Sequence, residues 1–368
     1  MGKRELLIIT AFVVMGVAAY QLAAAPTADR RRRFSLATLM DHFREETTGR
    51  RASTSVTTEG TIALVPPVGE VRVSSVTKVT IQGADRRDVG YTLTVEASGP
   101  DEAAARRQAE RTLLTQDLIG SVLSLRANAP REGRQVVSLV LNVPRTLRLR
   151  VESAGGGSSL DASDVADLQL DAVGDVRLSA ITGSVTGAHR NGTLSVADAA
   201  AIDLTLQNSE SSIERTTGVT KLSTRNGHHR ITGAGGPVDV VMQNDEVALI
   251  RPAREVRVTG TGGSLAIEAP EASVHVDTRR TSVDVVYGRA VPLTILTTDE
   301  PLHLLLAGTP SFALDAIATD GGRIVAESLG VAPEKINDET RLAHTVNTGC
   351  VPVALRNRRG EIVIGEAK

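Results

Sequence analysis

The chain has 368 residues and a formal net charge of −2, so its overall charge does not point to a nucleic-acid partner. Aromatic residues make up 2% of the sequence and Trp is absent, which leaves few stacking platforms for sugars or unpaired bases. The single cysteine, Cys350, excludes an internal disulfide framework.

The amino terminus predicts a membrane anchor. Residues 6–25 carry no charge, and as a helix they would span the roughly 30 Å core of a bilayer. A cleaved signal peptide is the alternative, with Lys3 and Arg4 as its charged start, but Pro26 would follow the cut and hinder cleavage. We therefore expect an uncleaved transmembrane helix within residues 1–28. The side chains expected in the membrane are Leu6, Leu7, Ile8, Ile9, Phe12, Val13, Val14, Val17, Leu22 and Ala25.

Residues 29–58 read as a basic juxtamembrane helix followed by a linker. Four arginines could contact anionic lipid, namely Arg30, Arg31, Arg32 and Arg33. Counted literally, the positive-inside rule would leave the body of the protein in the cytoplasm. Solenoids tethered by one amino-terminal span are more often exported, however, and on this ground we expect an extracytoplasmic body.

Residues 59–146 predict strands and one helix. Strict alternation of apolar and polar residues over residues 89–95 is typical of a half-buried strand. Residues 103–119 favour a helix, with Pro100 and Asp101 at its start and Gly120 at its end. We expect this helix to cover the exposed backbone edge of the first strands, because an uncovered edge invites aggregation.

From Leu204 to Val285 an aliphatic side chain recurs every ninth position. A helix cannot use this spacing, because nine residues are two and a half helical turns and successive members would face opposite sides. A strand can, since positions i and i+2 share one face. Two nine-residue units would form a coil of roughly 18 residues, and stacked coils form a solenoid. The predicted core residues are Leu204, Ile213, Leu222, Ile231, Val240, Leu249, Val258, Ile267, Val276 and Val285.

The predicted fold class is therefore all-β: a β-solenoid or β-helix of roughly 18-residue coils, with an N-terminal transmembrane helix and one capping α-helix. The solenoid is expected over residues 147–330. Residues 331–368 are expected to form a C-terminal cap, closed by a hairpin whose strands are joined at residues 357–360.

Few residues are candidates for chemistry. His229 takes an inward slot in the nine-residue series, beside the exposed His228, and Ser211 precedes it in the same series. No carboxylate or nucleophile is placed beside the histidines by spacing, so we expect a polar strand end and no metal or catalytic site. His275 and His303 are expected to be exposed, and Cys350 has no catalytic context. The glycine-rich segments lack the aspartate of calcium-binding repeats. No cofactor is predicted.

Three segments share a Gly-x-Val/Leu-x-Val/Leu pattern: residues 69–73 (GEVRV), 174–178 (GDVRL) and 191–196 (NGTLSV). Residues 357–364 (NRRGEIVI) have the same spacing with Ile in place of Val or Leu. With these units the chain, over roughly residues 60–368, resembles the adhesin-type β-solenoid domains of bacteria. The resemblance implies a fold and an adhesin-like role, often behind a single membrane span. It implies no catalytic residues.

The sequence thus predicts a membrane-anchored, non-enzymatic β-solenoid that acts as an adhesin-like surface or envelope scaffold. Its expected partners are the lipid membrane, other envelope components or further copies of itself, and no nucleic acid. One alternative is a cytoplasmic, membrane-associated scaffold that polymerises in the manner of bactofilins. Another is a carbohydrate-active enzyme on a β-helix, which the scarcity of aromatic residues disfavours.

Overall fold

A computed structural model describes residues 52–65, 68–129, 135–153 and 157–367. The predicted anchor at residues 6–25, the arginines at residues 30–33 and the first part of the predicted linker, up to residue 51, lie outside the described residues. Residues 52–58, which were expected to end that linker, instead begin the first strand. Their alternating Ser, Thr and Val side chains suit strand pairing, because β-branched residues pack well on a pleated surface.

The described residues form 24 strands of one sheet, a single α-helix and a short 3-10 turn. The first twelve strands are β1 (Ala52–Ala63), β2 (Glu70–Ser74), β3 (Lys78–Ala84), β4 (Asp88–Gly99), β5 (Leu113–Ile119), β6 (Val122–Asn128), β7 (Gln135–Pro144), β8 (Arg148–Ser153), β9 (Ser159–Ser163), β10 (Asp167–Val173), β11 (Asp175–Glu214) and β12 (Thr220–Arg225). The other twelve are β13 (His228–Thr232), β14 (Val238–Ile250), β15 (Val256–Glu268), β16 (Val274–Tyr287), β17 (Leu293–Thr298), β18 (Leu302–Leu306), β19 (Phe312–Thr319), β20 (Arg323–Val325), β21 (Glu334–Ile336), β22 (Glu339–Val346), β23 (Pro352–Arg358) and β24 (Glu361–Glu366). The helix is α1 (Glu102–Glu110), and the 3-10 turn is Glu327–Leu329.

In the middle of the chain, strands pair in parallel with partners 18 residues away. Leu204 of β11 lies beside Leu222 of β12, which lies beside Val240 of β14. The second strand of each repeat follows the same rule, so that Ile213 lies beside Ile231 and Ile231 beside Leu249. All ten of the predicted core residues are buried, each with at most 2% of its surface exposed. The parallel register stacks like side chains into inward rows, and these rows fill one apolar core.

Left-handed backbone residues mark the corners between these strands. One corner recurs at Asn208, Asn226, Asn244, Gly262 and Arg280, and all five have positive φ angles. Asparagine suits this conformation because its short polar side chain can hydrogen-bond locally. Here the asparagines also bond to one another, since Asn226 Nδ2 donates to Asn208 Oδ1 at 3.3 Å. A second set of corners falls at Arg215, Gly233, Arg251 and Ala269.

The predicted fold class is corrected by the pairing at both ends of the sheet. The described residues are all-β, but they are not one uniform stack of 18-residue coils. β1 and β4 are antiparallel, as are β4 and β7, β5 and β6, and β19 and β22. Other pairs join strands far apart in sequence, such as Val71 with Leu149 and Leu293 with Val353. The ninefold spacing specifies which side chains face inward, and it carries no information about these end pairings.

The membrane part of the prediction is corrected as well. Within the part of the chain that the structure describes, no helix has the length and apolar character needed to cross a membrane. The prediction of a single-pass membrane protein is corrected on this finding, which covers residues 52–65, 68–129, 135–153 and 157–367. The segment on which that prediction depended lies outside the described residues.

The predicted helix is shorter than expected and ends at Glu110. Asp101 caps it, since its carboxylate accepts a hydrogen bond from the Ala104 N–H at 2.6 Å. Ala105 and Ala109 are buried where α1 packs against β1 and β4. Residues 113–119 form β5, because their Leu, Thr and Ile side chains pair with β6 across a turn at Gly120. Strand pairing here outweighs local helix propensity.

The last two strands do not form the expected hairpin. β23 pairs in parallel with β17 and β19, and β24 pairs in parallel with β18 and β20. Residues 357–360 therefore turn a corner of the stack and do not join two paired strands. Asn357 stabilises this corner, because its Oδ1 accepts from the Gly360 N–H at 3.1 Å and its Nδ2 donates to the Glu300 carbonyl at 2.9 Å.

Candidate functional site

One inward row changes from apolar to polar in the middle of the sheet. Parallel pairing stacks Ser211 of β11, His229 of β13 and Val247 of β14, and Val247 lies beside Leu265 of β15. Ser211 and His229 thus occupy positions that later strands fill with aliphatic residues. Both are buried, with 6% and 3% of their surfaces exposed. Buried polar groups need hydrogen-bond partners, and these two bond to each other.

Ser211, His229 and Asp245 form a contiguous buried cluster. Ser211 Oγ lies 2.9 Å from His229 Nδ1, and His229 Nε2 lies 3.4 Å from Asp245 Oδ1. The second contact is an ion-pair distance, but it does not have the alignment of a hydrogen bond. Asp245 favours the tautomer with the ring proton on Nε2, so that Nδ1 accepts from the Ser211 hydroxyl. Gly227 makes room for the ring, because a Cβ there would lie 2.8 Å from Nε2.

Asp245 is held by three further donors. Its Oδ1 accepts from the Gly227 N–H at 2.7 Å, and its Oδ2 accepts from the Gln243 N–H at 2.7 Å and the Thr224 hydroxyl at 2.9 Å. Burial by itself favours the neutral acid, but His229 and these donors together outweigh it. The pKa of Asp245 therefore lies below its usual value. The carboxylate thus ties β14 to the end of β12 and to the turn between β12 and β13.

Many hydrolases use a serine nucleophile, a histidine base and an aspartate that orients the histidine, and this cluster contains the same three residue types. A nucleophilic serine needs its Oγ open to a substrate, with donors placed for the developing oxyanion. Here Ser211 Oγ points into the core, and the histidine edge that faces Asp245 is enclosed as well. The arrangement can orient side chains and hold a buried charge, and these features favour a structural role.

A second buried histidine lies on β11. The ring N–H at Nε2 of His189 donates to the Gly174 carbonyl at 2.7 Å. Burial lowers the pKa of His189, because the charged ring would lose its hydration. Three buried polar atoms here have no hydrogen-bond partner among the described residues: His189 Nδ1, Ser209 Oγ and His229 Nε2. Buried polar side chains, and buried polar atoms without a hydrogen-bond partner, are therefore concentrated around this part of β11 and β13.

An open groove of about 520 Å³ lies directly outside the buried cluster, and Ser211 and His229 are among the residues that line it. Its rim carries one row of outward side chains at successive strands, namely Glu210, His228, Glu246 and Ser264. His228 Nε2 lies 3.3 Å from Glu246 Oε2, and both side chains are well exposed. The second outward row has small side chains apart from one arginine, and consists of Ser195, Ser212, Arg230, Ala248 and Ala266. The groove therefore carries two carboxylates along one side and mostly small, uncharged side chains along the other.

The other histidines and the cysteine lie apart from this groove. His275 and His303 face outward but are half-buried, and His303 Nδ1 contacts a carboxylate oxygen of Asp284. Cys350 is exposed, with a free thiol. Among the described residues, no group of three or more His, Cys, Asp or Glu side chains could hold a metal ion. The sequence places Ser211 and His229 in one inward series but does not place Asp245 beside them, and Asp245 contacts His229 from a corner.

Comparisons with known proteins leave the family open. No family model matches the chain, and no curated protein matches its sequence. A crystal structure from Parabacteroides distasonis, provisionally named a lipid binding protein, is 12% identical, with a TM-score of 0.34, and covers 86% of this chain and 97% of its own. A protein from Bacteroides fragilis, provisionally named an adhesin, is 10% identical, with a TM-score of 0.26, and covers 85% and 97%. A protein from Clostridium sporogenes, provisionally named a cell adhesion protein, is 8% identical, with a TM-score of 0.19, and covers 86% and 100%. At these values the similarities assign neither a family nor an activity.

Proposed function

We propose that this chain is a non-enzymatic, adhesin-like recognition protein, and that the groove outside β11, β13, β14 and β15 contacts its partner. The observation that carries the proposal is the row of outward side chains on this groove. Glu210, His228 and Glu246 repeat at the spacing of adjacent strands, about 4.8 Å. An extended partner that crosses the strands would meet one such side chain at each strand.

The chemistry of the row limits the partner. Two exposed carboxylates flank His228, and the second outward row of the groove is uncharged except at Arg230. Such a surface favours amino groups and other hydrogen-bond donors over anionic polymers. An envelope component or an extracellular protein segment that presents amines therefore fits the groove better than a uronate polysaccharide.

The polar cluster beneath the groove supports recognition without catalysis. Ser211 bonds to His229 inside the core, and Asp245 lies against His229 and accepts a hydrogen bond from the Gly227 N–H. These contacts fix the strands on which the groove residues stand. A rigid sheet holds recognition side chains in place, so that less conformational entropy is lost on binding.

The test is a binding measurement with the full-length chain. Purified protein is immobilised and exposed to amine-bearing and uronate envelope polymers and to extracellular matrix proteins. For any ligand found, Glu210→Lys and Glu246→Lys should each weaken binding roughly tenfold or more, since they reverse the charge of the row. The control is Asp277→Lys, an exposed acidic residue of β16 outside the groove. Equal affinity in the groove variants and the control would contradict the proposal.

A further inference from the structure

β5 is an edge strand. Among the described residues it pairs only with β6, in antiparallel register from Leu113 opposite Asn128 to Ile119 opposite Val122. Within the part of the chain that the structure describes, its other backbone edge therefore has no strand to pair with. Such an edge is a template for another strand, and proteins commonly protect it with charges, prolines or covering loops.

The side chains of β5 do not provide this protection. Leu113 is 63% exposed, Leu118 is 43% exposed and Ile119 is 73% exposed. The strand contains no Pro or Lys, and Asp117 is its one charged residue. An exposed, apolar strand with a free edge lowers the solubility of a protein. Such a strand is therefore typical of a surface that binds a partner.

The sequence of β5 is symmetric about its central residue. Reading outward from Gln116 in both directions, LLTQDLI gives Thr115 against Asp117, Leu114 against Leu118 and Leu113 against Ile119. If two copies of β5 pair antiparallel about Gln116, each apolar residue lies opposite an apolar residue. The Thr115 hydroxyl then lies opposite the Asp117 carboxylate, which can accept its hydrogen bond. A two-fold interface requires such self-complementarity, because one surface meets itself.

We propose that β5 is a self-association edge, through which two copies of this chain join in antiparallel register with Gln116 opposite Gln116. Leu114, Gln116 and Leu118 share the face of β6 that carries the buried Leu123, Leu125 and Ala127, so the paired strands extend that apolar face from one copy to the other. The contact covers one seven-residue strand in each copy. We expect a weak, reversible dimer, with a dissociation constant on the order of micromolar or above.

Disulfide trapping tests the register. In a Cys350→Ser background, Gln116→Cys places two thiols directly opposite each other, with Cα atoms about 4.5–5.5 Å apart, a distance that a disulfide spans. The matched control is Thr115→Cys, whose two copies would lie diagonally at about 7–8 Å, too far for an unstrained disulfide. Under mild oxidation of the full-length chain, Gln116→Cys should give a covalent dimer and Thr115→Cys should stay monomeric.

A second measurement removes the dimer without a new thiol. Ile119→Lys puts a charge opposite Leu113 of the second copy, and it should weaken dimerisation roughly tenfold in sedimentation velocity. The control is Val241→Lys on β14, an exposed valine away from β5, which should leave dimerisation unchanged. Circular dichroism checks that each variant is folded. A wild-type chain that stays monomeric at high concentration, or equal trapping at positions 115 and 116, would overturn the proposal. In that case the edge of β5 would pair with another segment of the chain or with another protein.

Discussion

His229 and Asp245 lie side by side inside the sheet, with Nε2 3.4 Å from Oδ1 and both side chains almost fully enclosed. The two residues come from different strands, and their contact links the inward row of β13 to the corner that precedes the second half of β14. A buried carboxylate that loses a partner keeps its desolvation cost, so the stability of this region depends on the contact.

Removing the imidazole should destabilise the protein. His229→Leu leaves Asp245 with fewer partners for its charge and Ser211 with no acceptor, and we expect a loss of about 3 kcal/mol in the free energy of unfolding. Urea denaturation followed by circular dichroism measures it. The adjacent His228→Leu is the control, since that side chain is exposed, and it should cost less than about 0.5 kcal/mol. Equal losses in the two variants would show that the buried cluster contributes nothing special.

His189 should make stability depend on pH. Its folded-state pKa lies below the unfolded value of 6.5, so the unfolded chain binds more protons once the pH falls below that value. The free energy of unfolding should therefore decrease as the pH falls from 6.5 through the folded pKa. His189→Leu removes the group, and its unfolding free energy should vary less with pH over the same range. If the unfolding free energies of the wild type and His189→Leu changed equally with pH, His189 would not be the cause of the pH dependence.

Gly263 should tolerate no side chain. Its φ is +94°, and a Cβ would lie 1.9 Å from the Asp245 carbonyl oxygen on the neighbouring strand. We expect Gly263→Ala to cost about 3 kcal/mol or more, since strain and a backbone clash add. Gly308 has a φ of +75° and open space around it, so Gly308→Ala should cost only about 1 kcal/mol. Thermal melting compares the two, and a similar shift in both would mean that the close approach to Asp245 is unimportant.

Tyr287 should stabilise the sheet through its hydroxyl. The buried hydroxyl donates to the Val291 carbonyl at 2.7 Å and accepts from the Val291 N–H at 3.0 Å, while the ring packs edge-on against Phe312. Tyr287→Phe keeps the ring and leaves both backbone groups unpaired, so we expect a loss of about 1–3 kcal/mol. Tyr91→Phe is the control, on a tyrosine that is half-buried. Equal stability of Tyr287→Phe and the wild type in urea would contradict the assignment.

The sequence alone predicts the inward face of the repeated strands well. A strand alternates faces with a period of two, so the ninefold aliphatic series leaves one choice for the side that faces the core, and residues such as Val258 and Ile267 are completely buried. The pairing at the ends of the sheet could not be predicted in this way. Val71 lies beside Leu149 because β2 joins the stack from a distant part of the chain, and local pattern does not encode such a pairing.

Two of the three residues of the buried cluster could be predicted from the sequence. Ser211 and His229 stand 18 residues apart, which is the offset of neighbouring parallel strands, and that spacing placed both side chains inward. Asp245 belongs to a different row, in which Gly227 precedes it and Gly263 follows it. An acidic residue in a row of glycines has room to turn inward, and this was the available signal. The predicted helix, residues 103–119, was too long. Residues 113–119 have fair helix propensity, but they are stabilised more by pairing with β6.

The central claim is that Ser211, His229 and Asp245 hold the interior together and perform no chemistry. Labelling of the folded, full-length protein with a fluorophosphonate, which reacts with activated serines, tests it most directly. We predict the same low labelling for the wild type and for Ser211→Ala. Strong labelling of the wild type that Ser211→Ala abolishes would contradict the account and make this cluster a catalytic site.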